Sequence, residues 1–221
     1  MMNRSTLALC LTAFVATSVL AHNQVEDNGK AGNLDSVNGG ITVGNNAEAG
    51  NIDTVNGGIR VGKGSKVGKI DAVNGGISLD DGATAVSVDT VNGGFKGGTE
   101  VKILQSLESV NGGISLKAGS SIGRDIENVN GKIHLDGVSV AGNIDTVNGP
   151  IELKGATKVS GKLIVRKTQS NWCFWDCDSH KPIITIGPDV EVQGGLLLER
   201  EVELHIDPNA KIGPIEHAYK K

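Results

Sequence analysis

Seven carboxylates recur along the 221-residue chain at intervals of 18 or 19 residues: Asp35, Asp53, Asp71, Asp89, Glu108, Glu127 and Asp145. Each directly follows an aliphatic residue. If those aliphatic neighbours face a core, the acids project together from one outer edge. Carboxylates brought that close repel, and a hard cation such as Ca²⁺ held between their oxygens would relieve the repulsion. The other reading is a solvated acidic edge that keeps the protein soluble and is screened by salt.

A second group of reactive side chains lies in "NWCFWDCDSHKP", residues 171–182, which contains both tryptophans together with Cys173 and Cys177. In an exported protein these two cysteines are expected to form a small disulfide ring. With His180 they could instead supply three zinc ligands. Trp172, Phe174 and Trp175 would cover a break in the core or form a contact surface. Support for catalysis is thin: His22, His134, His180, His205 and His217 are scattered, and no nucleophile elbow, phosphate loop or zinc-protease motif occurs. The expectation is a non-enzyme.

Export itself is read from "MMNRSTLALCLTAFVATSVLA", where Arg4 precedes an apolar run that ends in Val19-Leu20-Ala21. This is the pattern of a signal peptide over residues 1–21, cleaved after Ala21, which places the mature chain in the periplasm or outside the cell. Cys10 follows Leu9 within the apolar run, so the signal reads as soluble rather than lipidated. No later stretch approaches the roughly 18 apolar residues of a membrane helix, so no transmembrane segment is expected in the mature chain. Losing Arg4 leaves 20 Lys and Arg against 25 Asp and Glu. That balance argues against nucleic acid as a partner.

The elements that must position these groups are set by a repeat. Val-Asn-Gly begins at Val37, Val55, Val73, Val91, Val110, Val129 and Val147. Aligned on that period, Ile41, Ile59, Ile77, Phe95, Ile114, Ile133 and Ile151 form one column. Val43, Val61, Leu79, Leu116, Leu135 and Leu153 form another two residues on, with Gly97 as the exception. Apolar residues at alternate positions mark a strand with one buried face. Inside the coarse period runs a finer one, as in "VGKGSKVGKIDAVNGGISLDDGAT", and eighteen is three hexads. The architecture expected is therefore all-β: a single-domain parallel β-helix of about 18 residues per three-sided coil. A third column reads Ala49, Val67, Ala85, Ile103, Ile122, Ala141 and Val159. With only six aromatic residues and 32 glycines in the chain, the core must be filled by Val, Ile, Leu and Ala.

In such a coil Asn38, Asn56, Asn74, Asn92, Asn111, Asn130 and Asn148 stack about 4.8 Å apart at one corner, where their amides can hydrogen-bond along the column. The glycine after each asparagine is present in all seven copies, as expected where φ is positive or backbones approach closely. The next position varies, being Lys132 and Pro150 in two copies. A meander of seven Asn-Gly hairpins is the structural rival. The coarse plan is a lead-in at 22–30, repeats at 31–170, the inserted loop at 171–182, and terminal coils with a C-terminal cap at 183–221.

"GNIDTVNGGIRVGKGSKVG" resembles bacterial repeat proteins grouped as adhesins, and the bactofilins, polymer-forming proteins with a short-coiled parallel β-helix. The resemblance covers most of 31–166 and resumes in "ITIGPDVEVQGG" and "IDPNAKIGPI". The hexads also resemble left-handed β-helix acyltransferases, so handedness stays open, and His134 is the only histidine inside the array that could serve that chemistry. The implied function is a structural or adhesin-like role at the bacterial cell envelope, as a homo-oligomer or an envelope component. The alternative is a carbohydrate-binding or carbohydrate-cleaving β-helix.

Overall fold

The computed structural model describes residues 23–167 and 181–219. The expected signal peptide and the Cys173, Cys177 and His180 group with its aromatic neighbours lie outside the described residues.

The strand sequences alternate, and the alternation decides the fold. In Ile52–Asn56 the first and third residues, Ile52 and Thr54, are buried while Asp53 and Val55 face out; in Ile59–Val61 the two aliphatic residues are buried and Arg60 is exposed. Such segments are too short to bury much alone and gain their core by stacking on copies of themselves. The result is a parallel β-solenoid of one domain with three sheets. One ten-stranded sheet runs from Gln24–Val25 to Glu203–Ile206, a second from Leu34–Asn38 to Ile215–His217, and a seven-stranded sheet from Thr84–Ala85 to Lys211–Ile212. Lys30, Glu48 and Lys66 continue the seven-stranded sheet toward the N-terminus through single bridges. Every strand pairing among the described residues is parallel, for example Ile41 with Ile59 and Ile59 with Ile77, which excludes the hairpin meander.

Two columns differ from the sequence expectation. Ala141 is exposed, and Val140 occupies the inward position between Ile122 and Val159. The cause is a shortened turn: Leu135 to Val140 spans one residue fewer than Leu116 to Ile122, and Gly137 makes the tighter bend at φ 66°. The residue is recovered at the next corner, so the coil keeps its 18-residue length and the shift is invisible in the overall period. A further buried column, Ala47, Ser65, Ala83, Val101, Ser120, Val138 and Thr157, was hidden by its polar members. Their hydroxyls are satisfied by the turn backbone: Ser65 Oγ accepts from Ala47 N at 3.0 Å and donates to Gly44 O at 2.6 Å.

Gly97 also has a packing reason. A Cβ there would lie 2.4 Å from Leu116 Cδ2, so glycine makes room for the Leu116 side chain of the next coil. The insertion expected at 171–182 falls between Leu163–Val165 and the strand paired onto Ile151, and beyond it all three sheets continue in register, with Leu163 on Leu196, Ile151 on Ile184 and Val159 on Val192. Residues 203–217, within the segment expected to cap the end, supply the last rung of each sheet.

Candidate functional site

The residues singled out by the repeat converge on the outer face of the ten-stranded sheet that starts at Leu34–Asn38. Because this strand begins inward, its second and fourth residues point to solvent. The pairing register places Asp35, Asp53, Asp71, Asp89, Glu108, Glu127 and Asp145 directly on one another, rung by rung. Beside them runs a column of valines. Val37, Val55 and Val129 are 47%, 39% and 36% exposed, and Val73, Val91, Val110 and Val147 are half-buried.

In several strands the third residue secures the face from behind. Ser36 Oγ donates to Gly39 O at 3.0 Å, Ser109 Oγ to Gly112 O at 3.2 Å and Asn128 Nδ2 to Gly112 O at 2.7 Å, so these buried polar groups hold the carbonyls of the Asn-Gly corner. At the corner itself each asparagine amide donates to the one before it, from Asn56 onto Asn38 at 3.2 Å through to Asn148 onto Asn130 at 2.9 Å. The column continues past the interruption through Arg200, 6% exposed, whose Nη1 donates to Asn148 Oδ1 at 3.0 Å. The obligatory glycine is explained by close approach: a Cβ on Gly75 would sit 2.0 Å from Gly57 O.

The other two faces carry ion pairs along their outward columns. Lys30 pairs with Glu48 at 2.7 Å and Lys158 with Glu191 at 3.3 Å on the seven-stranded sheet. On the remaining sheet Glu152 takes Lys132 and Lys154, and His134 Nδ1 lies 3.0 Å from Glu152 Oε2, so His134 is tied into a surface ion cluster on a flat sheet. Among the described residues the ion pair of the acid column lies at its end, where Arg166 Nε donates to Asp145 Oδ2 at 2.6 Å, while Lys69 acts on Asp89 through its charge alone. Like charges facing each other across strands are destabilising. Beyond Asp145 the same column turns aliphatic at Ile164 and Leu197.

Five of the ladder carboxyls are pushed above their ordinary range. Partial burial, aided by hydrogen bonding and repulsion from Asp71, pushes Asp53 up to about 6. Burial together with the Glu108 charge pushes Asp89 up to about 7. Burial also raises Glu108, Glu127 and Asp145, the last against the opposing pull of Arg166. No three His, Cys, Asp or Glu side chains among the described residues gather around a point a metal ion could occupy.

A pH dependence follows, with its sign fixed by linkage. A carboxyl that titrates higher folded than unfolded stabilises the fold below its unfolded pKa near 4, and loses that contribution as pH rises through 6 to 7. Glu152 acts in the opposite sense: hydrogen bonds from Lys132 and Lys154 hold it at about 2, so its contribution is lost only in strong acid. The melting temperature should therefore be higher at pH 5 than at pH 8. The combined Asp53→Asn, Asp71→Asn and Asp89→Asn variant should flatten that difference. A parent that melts higher at pH 8 would overturn the assignment of the ladder as the dominant titrating element.

Comparison with protein-family models, curated proteins and solved structures finds no match to this chain. Among the described residues no helix is long and apolar enough to cross a membrane.

Proposed function

We propose that the protein is exported and serves, without catalysis, as a structural or adhesin-like solenoid of the bacterial cell envelope, with the acid-and-valine face as its contact surface. The observation that supports this reading is the contrast between faces. The other two outward columns mix both signs of charge and carry ion pairs, whereas the third aligns seven acids and borders them with exposed valines, an arrangement that costs stability in the isolated molecule. A partner that brings positive charge or hydroxyl donors together with apolar surface would relieve both features at once.

The test is capture of native envelope material by the purified protein, in parallel with the Asp53→Asn, Asp71→Asn and Asp89→Asn variant. Asparagine keeps the shape and removes the charge. Capture by the parent and loss in the variant supports the acid face as the contact. Equal capture by both removes that face from the reading. Release of new reducing ends from a glycan substrate would replace the proposal with a carbohydrate-cleaving function.

A further inference from the structure

The last rung of the solenoid is less sealed than its interior. Leu204, Ile206 and Ile212 continue columns that are buried through the interior coils, yet they are only half-buried, and Ile215 is 40% exposed. Among the described residues their strands, Glu203–Ile206, Lys211–Ile212 and Ile215–His217, are the terminal strands of the three sheets, so each presents an edge that can accept another strand.

We propose that this end pairs with the same end of a second copy of the chain, forming a closed two-fold dimer. The charges at the two ends of the outward columns decide between the ways copies could stack. Lys30 begins and Lys211 ends the outward column of the seven-stranded sheet, while Asp35 begins and Glu216 ends that of the acid-bearing sheet. Continuing the solenoid head to tail would therefore set lysine on lysine and acid on acid, which is unfavourable across paired strands.

An end-to-end arrangement reverses this. Consider a two-fold axis normal to the sheet that ends at Glu203–Ile206. The axis reverses the sense in which the second chain circles, so the facing edges run antiparallel. It also swaps the other two faces, bringing the seven-stranded sheet of one copy against the acid-bearing sheet of the other. Lys211 then faces Glu216 of the second copy, and symmetry repeats the contact. With Leu204 on the axis, Glu203 faces His205 of the second copy and the two leucines meet inside. Glu203 and His205 already pair within one chain at 2.7 Å, and Glu216 takes Lys162 at 3.0 Å, so both carboxylates lie within reach of cationic or imidazole partners. The same apposition covers Ile206, Ile212 and Ile215. A self-complementary patch of this kind closes as a dimer and does not propagate.

Sedimentation of the purified protein tests the arrangement by charge exchange. Lys211→Glu and Glu216→Lys should each raise the dimer dissociation constant at least about tenfold, since each turns two attractions into repulsions. The double variant restores opposite charges and should recover dimerisation. Unchanged circular-dichroism melts would show that the single variants still fold. Head-to-tail stacking predicts the opposite sign for Lys211→Glu, which would remove the clash with Lys30 and tighten association. That result, or a parent that stays monomeric up to its solubility limit, overturns the proposal.

Discussion

Gly93→Ala is expected to abolish the folded solenoid under conditions in which Gly76→Ala leaves it intact. Both glycines belong to the same corner, one position apart in the repeat, yet their surroundings differ. A Cβ on Gly93 would meet Gly75 O at 2.0 Å and Gly75 C at 2.5 Å, whereas one on Gly76 comes no nearer than 3.5 Å to Gly94 O. The atoms that would have to retreat are backbone, and they are held: Gly75 N donates to Asn92 O and Gly93 N to Asn111 O, at 3.0 and 3.1 Å. Relief would require parting two coils that share every ladder bond, a cost on the order of 4 kcal/mol or more. Gly76 has no such constraint, and its equivalents in other coils are Lys132 and Pro150. Urea unfolding of the two variants measures the contrast. Midpoints that agree within error would mean that the corner backbone yields.

Ile77→Asp should be comparably severe by a different route. Ile77 is 1% exposed and is stacked between Ile59 and Phe95 in a core with no counterion nearby. An unpaired carboxylate there must lose its hydration or take up a proton, and either costs several kcal/mol, about 5 in total once the lost methyl contacts are counted. Ile77→Val, which only shortens the side chain, should cost about 1 kcal/mol. Each coil depends on its neighbours, so damage at the middle of the stack spreads to both sides. A melting curve of Ile77→Asp that overlays the parent's would show that this column is not internal.

The repeat made most of the fold legible, because a column of Ile at 41, 59 and 77 has one economical explanation and the triplet locates a corner in every coil. The register of the acids and of the asparagines follows from the same period. What the period could not reveal were compensating changes within one coil. The turn before Val140 is one residue shorter than its neighbour, so repeating the preceding 19-residue interval from Ile122 lands on Ala141, one past the buried Val140. The inner column of Ala47, Ser65 and Thr157 escaped notice because small and hydroxylated residues do not register as core, although their donors and acceptors are met by adjacent turns. The valines beside the acids belong, on the sequence alone, to the corner. Their exposure depends on which face the strand turns outward, and that emerges only when the third residue, not the fourth, is seen to be buried.

The asparagine column has a polarity that its spacing alone conceals. A guanidinium can only donate, so Arg200 compels Asn148 to present its oxygen, which turns the Asn148 nitrogen toward Asn130 and fixes that amide in turn. The choice passes down every rung to Asn38, roughly 29 Å away at about 4.8 Å per rung. Seven amide dipoles thus point the same way and polarise one another, with a cation at the oxygen end, much as a cation is favoured at the carbonyl end of a helix. One arginine sets the orientation of the whole array, and Arg200→Ala would leave the column free to reverse only as a unit.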